Sequence, residues 1–219
     1  VRNVEYRPMS GAMANAFALF GVMDRGQRVM AVSRRHGADG TSRETAMAHA
    51  LGLEYSDIPF EEDGFTINLD ALATQMEKTR PHWIMVGGAT LRFPVPVQEI
   101  ADLAKQVGAR VFFDGAHVLG LMGGGQYQHP LVEGAALMTG STQKTLPGPI
   151  GGLILSNDPK VGEQISSATD ALVSNYHNNR VAALAVTLAE MLEFGAEYTQ
   201  ATVENAQGLA EALVHEGFS

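Results

Sequence analysis

Short apolar runs alternate with amphipathic stretches along nearly the whole chain, and this alternation restricts the fold more than any other feature. Strands are expected at 28–32, 54–59, 83–86, 109–113, 135–139 and 152–155. Helices are expected at 10–23, with Ser10 as N-cap, and at 42–51, 68–79, 97–107, 161–170, 179–194 and 203–215. Asn68 or Asp70 is the expected cap of the 68–79 helix, and Gly108 the stop of the 97–107 helix. Strands that alternate with helices pair in parallel and need cover on both faces. The expected class is therefore α/β, a three-layer αβα sandwich around a mostly parallel sheet. Gly123-Gly124-Gly125 reads as a loop and not a phosphate cradle, because no strand feeds directly into it.

In such a sheet ligands gather at the carboxyl ends of the strands, and two segments place chemistry there. Thr139-Gly140-Ser141-Thr142-Gln143-Lys144-Thr145-Leu146-Pro147-Gly148-Pro149 holds one lysine among small hydroxyl residues, with Pro-Gly-Pro behind it as a brake. Apolar runs enter and leave this segment, so Lys144 belongs on a stiff turn between two strands. That setting favours partial desolvation, which suits an amine to Schiff-base chemistry. Alone, the bland reading of a surface lysine at a turn is the commoner one. The second segment, Val111-Phe112-Phe113-Asp114-Gly115-Ala116-His117, is a buried strand ending in an acid, with a histidine three residues on. A lysine amine and an acid facing a pyridine nitrogen are what pyridoxal phosphate chemistry requires. A strand-end Asp also serves simply to cap the next helix.

Taken in order, four blocks resemble the serine hydroxymethyltransferase family. Arg7-Pro8-Met9-Ser10-Gly11-Ala12-Met13-Ala14-Asn15 is similar to the family's phosphate-loop segment. Ser33-Arg34-Arg35-His36-Gly37 is similar to the segment whose histidine covers the cofactor ring. Asp114-Gly115-Ala116-His117-Val118-Leu119-Gly120-Leu121 resembles the Asp-x-Ala-His block, and 139–152 the block with the Schiff-base lysine. The resemblance spans nearly the whole chain.

The resemblance implies the large domain of a fold-type I pyridoxal 5′-phosphate enzyme over residues 1–219, with an N-terminal segment and a small C-terminal domain lying elsewhere. It implies interconversion of serine and glycine with tetrahydrofolate as co-substrate, in a homodimer; a cytoplasmic location is the default expectation, since no membrane span or signal-peptide pattern is read in the sequence. It assigns the Schiff base to Lys144, the acid facing the ring nitrogen to Asp114, and ring stacking to His36. Phosphate binding falls to Ser10, Gly11 and Ala12, and His117 lies near the cofactor oxygen or the lysine. Thr90 or Ala89 stands near the phenolic oxygen.

Several positions depart from the family. Ala12 stands where a hydroxyl residue is usual, and Met13 where glutamine is common. Gln143 replaces the histidine usually found before the lysine, and glutamine hydrogen-bonds without titrating. That leaves open a related aldolase or transaldolase joining glycine to another aldehyde. Ser174-Asn175-Tyr176-His177-Asn178-Asn179 replaces a glycine-rich stretch that reaches a neighbouring subunit's phosphate, with Tyr176 or His177 as the substitutes. The family's substrate-carboxylate arginine is expected in the small domain. A non-catalytic partner of this fold would be signalled by loss of Lys144 or Asp114, and both are present. A simple phosphate-binding module would not need the Asp-x-Ala-His and lysine blocks together.

Composition excludes several classes. The net charge is −9, from 24 acidic and 15 basic residues, with no basic run suited to nucleic acid. There is no cysteine, so disulfides and thiolate metal sites are excluded, and no metal is expected. No apolar run reaches the length of a membrane span.

Overall fold

In the computed structural model, which describes residues 1–42, 47–90 and 92–218, a seven-stranded sheet carries helices on both faces. The strands are β1 (Asn3–Glu5), β2 (Arg28–Ala31), β3 (Glu54–Asp57), β4 (Trp83–Gly87), β5 (Arg110–Asp114), β6 (Leu137–Gln143) and β7 (Pro147–Ser156), in the order β1-β7-β6-β5-β4-β2-β3. The pairs β3–β2, β2–β4, β4–β5 and β5–β6 are parallel. The pairs β6–β7 and β7–β1 are antiparallel. The helices are α1 (Gly11–Val22), α2 (Met47–Ala50), α3 (Leu69–Thr79), α4 (Val97–Val107), α5 (Leu119–Gly123), α6 (Pro159–Leu172) and α7 (Asn178–His215).

Side chains alternate across a strand with a period of two, and the core divides accordingly. Val29, Ala31, Trp83, Met85, Phe112 and Leu137 pack with Phe17, Leu19 and Ile165 of α1 and α6. Met30, Ile84, Val86, Val111, Phe113 and Met138 pack with Leu72, Ile100 and Leu184 of α3, α4 and α7. The expected three-layer αβα fold is therefore present. By the same parity Asp114, Thr139 and Ser141 fall on the α1 face, and this assembles the site.

The caps follow local chemistry. Ser10 Oγ accepts from Met13 N at the start of α1. Asn68, not Asp70, caps α3 by accepting from Ala71 N. Gly108 ends α4 in the left-handed region.

Four expectations are corrected. The two helices expected at 179–194 and 203–215 are one 38-residue helix, α7. Gly195 lies inside it, and at Thr199, one turn further on, the Oγ1 hydroxyl bonds back to Gly195 O at 2.8 Å and lies 3.3 Å from Gly124 O. The turn after α5 is thereby docked onto the middle of α7. The short helix α5 covers part of the stretch read as a loop, with its end at Gly123. β1 was not expected; it is three residues long and owes its place to pairing with β7. Finally, Pro147-Gly148-Pro149 is not a brake but the start of β7. The ladder shifts register between Ser141 and Gln143, an irregularity where proline is tolerated. The helix expected at 42–51 falls partly on 43–46, outside the described residues.

Candidate active site

The β6–β7 hairpin turns through Lys144, Thr145 and Leu146, at the carboxyl end of β6. Thr145 ties it to the turn after β5. Its Oγ1 donates to His117 O at 2.7 Å and accepts from Gly120 N at 3.1 Å. A Cβ on Gly120 would lie 2.0 Å from Thr145 O, so only glycine permits this approach. Lys144 and His117 are brought together in this way. Lys144 is exposed at the tip, so the desolvation expected from the sequence is not provided by the described residues. The reason is its place on a hairpin tip, beyond the last paired residue, Gln143.

Asp114 ends β5 and is 3% exposed. Its Oδ2 accepts from Asn15 Nδ2 at 2.9 Å, and its Oδ1 from Ala116 N at 3.0 Å. Burial pushes the Asp114 carboxyl above its ordinary value, and the charge of Asp39 adds to that. The bonds from Asn15 and Ala116 N and the charge of Lys144 act the other way. Each bond to a charged group contributes about 1.5–3 kcal/mol, enough to offset part of the burial cost.

Sequence reasoning missed four contributors, Asn15, Thr139, Thr41 and Asp39. Asn15 sits inside α1, 2% exposed, and its Oδ1 accepts from Thr139 Oγ1 at 2.6 Å. Its Nδ2 also donates to Thr41 Oγ1 at 3.0 Å. Thr41 in turn donates to Asp39 Oδ1 from N at 2.8 Å and from Oγ1 at 2.6 Å. Burial raises the Asp39 carboxyl, but the Thr41 bonds and the charges of Lys144 and His117 outweigh it and leave it below its ordinary value. A signal for Asn15 existed: it is the one polar residue in Gly11–Val22.

His117 is half-buried, and burial first, then the Lys144 charge, holds its imidazole below the ordinary 6.5 despite Asp114 and Asp39. The sign follows directly: a histidine with a lowered folded value contributes stability that is present above 6.5 and lost as pH falls through the folded value. Imidazole NMR of the cofactor-free protein is expected to show His117 titrating below 6.5, moving upward in Lys144→Gln. A midpoint at or above 6.5 would contradict the assignment of these causes.

The other expected residues are distributed as follows. Gly11 and Ala12 open α1, whose first N–H groups lack partners within the helix. A Cβ on Gly11 would lie 2.1 Å from Ser141 Oγ, so this first turn rests on β6 just before the lysine hairpin. The Ser10 hydroxyl is engaged by Met13 N. The His36 ring stacks on Phe60, with centroids 4.1 Å apart and planes at 12°, and its Nδ1 meets Ser33 Oγ at 2.9 Å. Thr90 is exposed; its N–H and that of Ala89 both donate to Gly37 O, joining the loops after β4 and β2. Gln143 Oε1 accepts from Gly151 N at 3.3 Å, bracing the hairpin. The geometry thus joins Asp114, His117, Lys144 and the start of α1, while His36 and Thr90 lie on neighbouring loops. Tyr176 makes an edge contact with Tyr6, and His177 precedes α7.

Among the described residues no group of three or more His, Cys, Asp or Glu could hold a metal ion, and no helix is long and apolar enough to cross a membrane. Comparison with known proteins agrees with the resemblance seen in the sequence. The family model described as serine hydroxymethyltransferase matches residues 1–219. The chain is 38% identical over 218 residues to a protein of that name from Methanosphaera stadtmanae, covering 99% of this chain and 51% of the relative. It is 40% identical over 219 residues to the one from Methanobrevibacter smithii, covering 99% and 52%. For the one from Pyrococcus furiosus the identity is 41% over 218 residues, covering 98% and 51%. The chain therefore spans about half the length of the named relatives it matches.

Proposed function

Because this chain belongs to the serine hydroxymethyltransferase family, we propose that its full-length protein interconverts serine and glycine, using pyridoxal 5′-phosphate and tetrahydrofolate. Residues 1–219 are read as the cofactor-binding domain. The residues present fit the cofactor: one lysine amine, one buried carboxylate and the first N–H groups of α1 lie at the carboxyl ends of β5 and β6. When bound, pyridoxal phosphate supplies an aldehyde for an amine and a ring that accepts an electron pair from the amino acid's Cα.

The chain's own residues have the following parts in this reading. Lys144 offers its Nζ at the hairpin tip. Gly11 and Ala12 N–H groups, at the positive end of α1, hold the phosphate. Asp114 faces the ring nitrogen, where a buried carboxylate favours a retained proton. His117, neutral near pH 7, accepts or returns a proton beside Lys144. His36 covers the ring after release from Phe60, and Thr90 or Ala89 lies near the phenolic oxygen. Gln143 supports the hairpin through Gly151 and takes no proton. Serine or glycine is the small amino-acid substrate. The protein is read as cytoplasmic and homodimeric, with the exposed Leu192 and Phe194 of α7 available to be covered in the assembly.

The single observation that carries the reading is the joining of the Asp114 turn and the Lys144 hairpin through Thr145. Borohydride reduction of the full-length protein loaded with pyridoxal phosphate, followed by peptide mapping, is expected to leave a pyridoxyl group on Lys144. An adduct on another lysine, or no adduct, would overturn the assignment.

A further inference from the structure

Asn15 makes three side-chain hydrogen bonds with defined polarity, and a fourth bond, from Thr41 to Asp39, sets the polarity of one of them. Asp39 accepts the Thr41 hydroxyl proton at 2.6 Å, which leaves the Thr41 Oγ1 lone pairs for Asn15 Nδ2 at 3.0 Å. The same Nδ2 has a second hydrogen, and it goes to Asp114 Oδ2 at 2.9 Å. The amide oxygen on the other side is engaged by the Thr139 hydroxyl at 2.6 Å. An asparagine amide has two orientations. Turned over, it would set its oxygen against both Thr41 Oγ1 and the Asp114 carboxylate. The Asp39–Thr41 bonds on one side and Thr139 on the other therefore select the orientation that gives Asp114 a donor.

We propose that Asn15 is a positioning residue, oriented by Thr41 and Thr139, that fixes the rotation of the Asp114 carboxylate and keeps it a hydrogen-bond acceptor. The inference rests on the reading of Asp114 as the cofactor's ring-nitrogen partner, and it adds a residue acting through Asp114. Ala116 N secures the other oxygen, Oδ1. With one donor on each oxygen, the carboxylate plane cannot turn without losing both. The charged or titratable groups facing Asp114 are Asp39 from the loop after β2, His117 from the turn after β5 and Lys144 from the β6–β7 hairpin. Those charges act at a distance and fix no rotation. Asn15 and Ala116 N are its direct hydrogen-bond donors.

The test follows Asp114 itself, without cofactor. Full-length protein is labelled with [4-13C]aspartate, the Asp114 carboxyl is assigned with Asp114→Asn, and its shift is followed against pH. Asn15→Leu is expected to raise the Asp114 midpoint by about 1 unit, because the donor is lost and the burial kept. Thr139→Val is expected to move it the same way, since the amide then loses the hydroxyl that orients it. Thr139→Ser, which restores a hydroxyl, is expected to return it. A purely structural role would lower the melting temperature in these variants and leave the titration where it was. An unchanged midpoint in both Asn15→Leu and Thr139→Val overturns the proposal. If Asn15→Leu does not fold, an unchanged midpoint in Thr139→Val alone overturns it. With pyridoxal phosphate added, the pH dependence of the bound cofactor's absorbance is expected to shift in Thr139→Val and to recover in Thr139→Ser. Failure of the full-length protein to bind pyridoxal phosphate would fall on the functional reading alone, because the carboxyl titration is decided with no cofactor present.

Discussion

Asp114→Asn in the full-length protein is expected to lower serine-to-glycine turnover by about 10^3-fold, the scale of losing one preorganised charge from an active site. The side chain keeps its shape, so the loss reports charge and not space. The carboxylate now serves two donors, Asn15 Nδ2 and Ala116 N, one on each oxygen. An amide has one oxygen for both and sets its NH2 against the other donor. A cost to folding of about 1–3 kcal/mol follows for the group left without a partner. Relief of burying a charge offsets part of it, since burial already raises the Asp114 carboxyl. The expected result is a folded protein with little melting shift and almost no turnover. Turnover within tenfold of wild type, measured as glycine formed from serine with tetrahydrofolate, would remove Asp114 from its assigned role.

The second large effect is expected from one methyl group. Gly120→Ala places a Cβ 2.0 Å from Thr145 O, 2.1 Å from Thr145 C and 2.3 Å from Leu146 N. All three are backbone atoms of the lysine hairpin, so no side-chain rotation relieves the contact. Overpacking of this kind costs about 1–3 kcal/mol. The hairpin must also withdraw from the Asp114 turn, which separates Lys144 from His117. Both the melting temperature and turnover are expected to fall. Gly208→Ala is the matching control. Gly208 lies in exposed α7, and a Cβ there meets nothing within 4 Å. Removing glycine from a helix interior is expected to stabilise the protein by about 0.5–1 kcal/mol. Thermal unfolding of the two variants side by side gives opposite signs if the packing argument is right. A Gly120→Ala protein as stable and active as wild type would refute the close approach.

Much of the fold was legible because its signals are local. Ser10 accepts from a residue three positions on, and Gly108 ends α4 by its own backbone freedom. The runs 83–86 and 111–113 are buried and apolar throughout, as parallel strands covered on both faces must be. The continuity of α7 across 195–202 was missed, and the contact that stretch makes, Thr199 on Gly124, joins residues 75 positions apart. β1 was missed because three residues carry too little periodicity, and pairing with β7 decides their conformation. The proline start of β7 was misread because the register shift that tolerates it belongs to the ladder and not to the segment.

By itself the sequence determined the α/β class, the Ser10 and Gly108 caps, the place of Asp114 at a strand end and the place of Lys144 on a turn. Each depends on residues a few positions apart, where periodicity and capping act. Only the tertiary structure decided that Asn15 would hold Asp114, 99 residues along the chain. The same is true of Thr145 binding the His117 turn and of Lys144 standing exposed at a hairpin tip. The physical reason is that sheet order and strand parity choose which side chains face one another across layers. A buried asparagine or threonine takes its function from the partner it meets there, and that partner is not encoded in its neighbourhood along the chain.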